Sequence, residues 1–125
     1  MIWVKRLGFI LLIICLGTIV DYVVHQMNPY FSVPLDYFSH KIFYGTIWGF
    51  VGYLVFRKYL KTSLAVAFTI VATPAVLLQT MYLIQEHQLP WVVFLFLFLH
   101  FFMFFLPAYF ICKKYTILFI DEKSN

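Results

Sequence analysis

The sequence predicts an all-α integral membrane protein, a four-transmembrane-helix up-down bundle with both termini in the cytoplasm. Three observations carry that prediction: a composition too apolar for a water-soluble fold, four apolar runs of spanning length, and basic residues gathered on one side of those runs. Of 125 residues, 64% are hydrophobic and 22% aromatic while only 11% are charged, against about 25% charged in an ordinary soluble domain. A soluble chain of this length wraps one core in a polar shell, and these residues cannot build that shell.

The apolar runs cover residues 7–27, 41–60, 63–84 and 91–112. Each is close to the ~20 residues that a helix rising about 1.5 Å per residue needs to cross a hydrocarbon core of about 30 Å. With an outer connection at 28–40 and a short tail at 113–125, they form one transmembrane domain over 1–125 and leave no room for a soluble one. Lipid offers no partners to backbone N–H and C=O groups, so spanning segments of this length are helices. The first run follows Lys5 and Arg6 as a secretory signal would, but it is too long and lacks a small-residue cleavage pattern, which makes it a retained anchor.

Charge sets the orientation. Lys5, Arg6, Arg57, Lys58, Lys61, Lys113, Lys114 and Lys123 fall on one side, eight basic residues against Lys41 alone on the other. The positive-inside bias assigns the eight to the cytoplasm and makes the chain a multi-pass protein of the cell membrane. Trp3, Tyr59 and Tyr115 then lie at the inner interface and Tyr30, Tyr37 and Trp91 at the outer one, where amphipathic rings prefer to sit. The same distribution removes nucleic acid as an explanation of the net charge of +4, because the basic residues flank apolar runs instead of covering one face of a folded domain. Cys15 and Cys112 form no CxxC or Cys/His metal spacing and read as small core residues.

Within the runs, Gly45, Gly49 and Gly52 make a small-xxx-small face on the second helix, a helix-packing surface that serves either this chain's own neighbours or a second membrane protein. On the third helix, Ala65, Thr69, Ala72, Val76 and Gln79 form a small and polar stripe that belongs in the bundle interior, and Pro74 should kink the helix. The fourth helix carries phenylalanine in every angular sector, from Phe94 to Phe110, so much of it faces lipid or a partner protein. His100, near its middle, is the one ionisable group at that depth.

The pattern that stands above a generic membrane protein is on the outer side. Asp21, Tyr22 and His25 form DYVVH, and Asp36, Tyr37 and His40 form DYFSH; in each, Asp and His are four apart and share a helical face. Glu86 and His87 add a carboxylate and an imidazole between the third and fourth runs. Asp21, His25, Asp36, His40, Glu86 and His87 are the candidate ionisable cluster. Carboxylate and imidazole together can hold a divalent cation or pass a proton, and Asp21, His25 and His40 are the candidate metal ligands, although no complete metal or cofactor motif is present. Asp21 is the most informative member: it sits a turn inside an apolar run, where a lone carboxylate costs up to about 2.5–3.5 kcal/mol on insertion scales. His25, Lys41 or a bound ion is expected to offset that cost.

Three functions fit these residues. One is an accessory or scaffold subunit acting through helix–helix contacts with a membrane-protein partner or another copy of itself. The second is a small transporter or channel that uses Asp21 and His25, with His100, as ionisable groups. The third is an outward-facing metal-dependent enzyme, for which the sequence offers no recognisable nucleophile. Elimination favours the subunit, with the lipid bilayer as its surroundings and no cofactor required. The topology common to all three predicts that alkaline phosphatase fused after Gln88 is active outside the membrane while fusions after Thr62 and after Asn125 are inactive. Activity from the Thr62 fusion would overturn the topology.

Overall fold

A computed structural model describes residues 1–29, 32–85 and 90–121. Every regular element among them is helical: α1 (Ile2–Gln26), α2 (Leu35–Phe56), α3 (Ser63–Gln85), α4 (Pro90–Lys114) and the single turn α5 (Thr116–Phe119), with a 3₁₀ turn at Arg57–Tyr59 after α2. α1 packs against α2 and α4, and α3 packs against the same two helices, so the four long helices close into a ring in chain order. The C-terminal part of α1 meets the N-terminal part of α2 through Asp21 and Lys41. At the opposite end, Arg6 of α1 lies over the ring of Tyr53 of α2, so these neighbours are antiparallel.

Three segments are long and apolar enough to cross a membrane: Ile2–Gln26, Ser63–Met81 and Phe94–Lys114. α2 has 22 residues, about 33 Å at 1.5 Å per residue, and so matches the others in length. Its glycines, tyrosines and the His40-Lys41 pair dilute its apolarity, which keeps it outside that set. The surface of the ring is apolar: Ile19, Val55, Phe68, Phe98, Phe102 and Phe110 are all more than half exposed. Buried polar side chains, Arg6, Thr18, Asp21, Thr46 and Gln79, lie inside. That inversion of the soluble pattern suits a hydrocarbon solvent.

The helix bounds differ from the apolar runs in two informative places. α2 starts at Leu35, six residues before the run at 41–60, so the connection between the first two helices is shorter than 28–40. Pro34 precedes the helix with φ −59° and extended ψ of 153°, and Asp36 stands in the first turn, favoured there by the helix dipole. Asp36, Tyr37 and His40 are therefore helical residues. Residues 113–121 are also more than a tail. α5 folds back under the ring and buries Phe119, whose carbonyl accepts the Tyr53 hydroxyl at 2.5 Å. Arg6, itself buried, donates from Nε to the Leu118 carbonyl at 2.8 Å and from Nη2 to Asp121 Oδ1 at 2.7 Å. The last carbonyls of a helix lack intrahelical donors; here Arg6 and Tyr53 supply them.

Glycine sets how closely the helices approach. A Cβ on Gly17 would lie 2.1 Å from the Phe104 ring, joining α1 to α4, and one on Gly52 would lie 2.2 Å from Thr73 Oγ1, joining α2 to α3. Gly45 packs on Ile14. Gly49 is the most constrained, because its Cβ would stand 2.9 Å from the backbone oxygen of Ile70. Pro74, within α3, has no N–H to give that oxygen, and the bare backbone of Gly49 fits beside it. The inward face of α3 is accordingly Val66, Ala67, Ile70 and Val71, while Val76 of the expected stripe is half exposed. Gly49→Leu should destabilise the fold by about 1–3 kcal/mol through overpacking, read as a lower unfolding temperature in detergent. Gly8→Leu, with nothing within 4 Å of the new Cβ, should leave that temperature unchanged; an unchanged Gly49→Leu protein would contradict the packing.

Candidate ionisable site

Three helix faces deliver the site. On α1 the inward stripe runs Arg6, Ile10, Ile13, Ile14, Gly17, Asp21, all buried, at the three- and four-residue spacing of one helical face. His25 follows one turn beyond Asp21. On α2 Lys41 stands four residues before Gly45 and eight before Gly49, so it shares the glycine face and is carried inward with it. On α4 the stripe is His100, Phe104, Ala108 and Cys112, the last three buried.

These faces bring four ionisable groups together. Asp21 is fully buried. Its Oδ2 pairs with the Lys41 ammonium, and its Oδ1 faces His25 Nε2 at 3.4 Å and His100 Nε2 at 3.2 Å. Aromatic rings shield the group: His25 lies edge-on to Tyr37 and Phe38, and the Lys41 ammonium sits 4.5 Å over the Tyr37 ring. Beside it lies a cavity of about 230 Å³ whose polar lining includes Tyr37, His40, Lys41, Tyr44, Gln79 and His100, set among apolar side chains of α1, α3 and α4. Lys41 and His100 thus belong to both the cluster and the cavity wall.

The protons of His100 are constrained by its surroundings. Nδ1 lies 2.7 Å from the Phe96 carbonyl, which can only accept, so Nδ1 carries a hydrogen. In a neutral imidazole Nε2 would then present a bare lone pair, directed at a carboxylate oxygen 3.2 Å away. Among the described residues, and beyond these imidazole–carboxylate contacts, neither Asp21 Oδ1 nor His100 Nε2 has a hydrogen-bond partner. Two facing acceptors in a buried site repel, and a positive charge between them, a proton on Nε2 or a bound cation, removes the repulsion.

The sequence-derived candidates separate accordingly. Asp21 and His25 are in the cluster. His40 is exposed, its ring 6.3 Å from that of Tyr44, and belongs to the cavity lining instead of the ligand set. Among the described residues, Asp21, His25 and His100 form a group of metal-ligating type, so two of the expected Asp21, His25 and His40 lie in it and His40 does not. Successive residues of a helix point about 100° apart, and since Lys41 follows the glycine face, His40 turns away from it. Asp36 is exposed in the first turn of α2, where its backbone oxygen accepts from Ser39. Glu86 and His87 lie outside the described residues. His100 was readable as a buried histidine, but its place beside Asp21 was not. It lies ten residues into α4, whereas Asp21 lies five from the end of α1, and sequence depth assumes that helix ends are level.

No known family model matches the chain, and no curated protein or solved structure is significantly similar to it.

Proposed function

We propose that the chain is a multi-pass protein of the cell membrane in which α1 to α4 all span, both termini are cytoplasmic, and the buried Asp21 cluster takes up and passes protons or a small cation. This is the transporter or channel class of function. The observation that carries it is the buried Asp21 Oδ1 facing two imidazole nitrogens, His25 Nε2 at 3.4 Å and His100 Nε2 at 3.2 Å, an arrangement that a proton or small cation between them stabilises. Ionisable groups at membrane depth are costly and, where present, commonly line ion or proton pathways. The adjoining cavity supplies a route, with Lys41 and His100 standing at its junction with the cluster.

The subunit reading loses one of its two supports. Gly45, Gly49 and Gly52 pack on Ile14, Ile70 and Thr73 of the same chain, so that face is spent internally, and the exposed phenylalanines of α4 suit lipid as well as a partner. The charge distribution continues to favour cytoplasmic termini, which puts the Asp21 cluster in the outer half of the membrane and Arg6 with Asp121 in the inner half.

Purified protein reconstituted in vesicles with an internal pH-sensitive dye tests the proposal. An imposed pH gradient should collapse several-fold faster than in protein-free vesicles. Asp21→Asn and His100→Gln should each bring the rate back to within about twofold of empty vesicles while the variants remain folded. Wild-type flux no greater than that of empty vesicles, or undiminished flux in both variants, would overturn it.

A further inference from the structure

We infer that the cation-handling cluster is a site for a divalent transition-metal ion, held by Asp21 Oδ1, His25 Nε2 and His100 Nε2. The inference rests on the cation-handling reading above and names its ligand class. The three ligand atoms come from two helices and lie within 4.8 Å of one another. Two edges of that triangle are 3.4 Å and 3.2 Å, from Oδ1 to His25 Nε2 and to His100 Nε2. Metal–ligand bonds of about 2.0–2.1 Å in a tetrahedral arrangement place neighbouring ligand atoms about 3.3 Å apart. Both edges match that spacing, and the third, between the two Nε2 atoms, is no longer than 4.8 Å.

The chemistry around the ligands fits the same ion. A metal-binding histidine typically donates its other ring N–H to a carbonyl or carboxylate, which fixes the tautomer and the ring direction; His100 does so through Nδ1 to the Phe96 carbonyl. Asp21 divides its oxygens, Oδ2 to the Lys41 ammonium and Oδ1 toward the imidazoles, so the ion and the ammonium use different atoms of one carboxylate. Two imidazoles and one carboxylate oxygen suit zinc, cobalt or nickel; magnesium and calcium prefer sites made wholly of oxygen. When the ion binds, bonds form to Oδ1 and both Nε2 atoms through their lone pairs, and any proton on those atoms is given up to water through the cavity that His100 lines. No oxidation or reduction is involved.

The test uses the full chain in detergent, stripped with chelator and titrated with Co²⁺ as a visible probe, with Zn²⁺ content after dialysis measured in parallel. One equivalent should bind, with the absorption of a low-coordinate Co²⁺ site. His25→Ala and His100→Ala should each weaken binding at least tenfold, with His100→Gln as a second variant if His100→Ala unfolds. His40→Ala should bind as wild type. Failure to bind a stoichiometric ion, or binding equally tight without His100, overturns the metal assignment. Proton flux in vesicles from protein that binds no metal would reject the metal site alone, whereas absence of both flux and metal would reject the cation-handling reading with it.

Discussion

The ion pair between Asp21 and Lys41 is the interaction on which the arrangement of the bundle depends. Either charge left alone in an apolar interior would cost several kcal/mol, and together they fix the register of α1 against α2 at one end. Because Lys41 shares its face with Gly45 and Gly49, bringing it to Asp21 also turns the glycines toward α1 and α3. That orientation sets Gly49 beside the carbonyl that Pro74 leaves without its helical donor. The other end of α1 uses the same logic with opposite sign. Arg6 is buried there and satisfied by the Leu118 carbonyl and Asp121, so α1 carries one buried charge toward each end and both are answered from other elements.

Between the two charged ends lies a layer of Ile10, Ile13, Ile14, Ile70 and Val71, almost inaccessible to solvent, and below it Tyr53 and Phe119 close the bundle. The cavity beside Asp21 therefore ends on an apolar barrier. Under the proposed cation-handling function, an ion leaving the cluster would have to cross that layer through a rearrangement, and the structural elements suited to one are the glycine contacts of α2 and the proline-interrupted ladder of α3.

Much of the fold was legible in the sequence because its signals are local. Apolar runs of spanning length gave the long helices, and the inward glycines followed from their spacing. What escaped depends on contacts between residues far apart in the chain. A four-residue helix such as α5 has no signal of its own and is held by Arg6 and Tyr53, more than sixty residues away. The start of α2 was hidden because hydropathy marks where a helix becomes apolar, whereas Pro34 and Asp36 mark where it begins. At the site, Asp21 and His25 were legible from their spacing. The choice of Lys41 over His40 was available from the glycine period, since positions 41, 45, 49 and 52 share one face. His100 required the relative heights of α1 and α4, which no local pattern contains.

Asp21 and Lys41 are in direct contact inside the bundle and should be energetically coupled. A double-mutant cycle measures this directly, comparing unfolding free energies of wild type, Lys41→Met, Asp21→Asn and the double variant by SDS titration in mixed micelles. Lys41→Met, which leaves the carboxylate buried without its ammonium, should cost about 3–5 kcal/mol. The double variant should be far less destabilised than the two single changes added together. Additivity to within about 0.5 kcal/mol, the behaviour of independent sites, would contradict it.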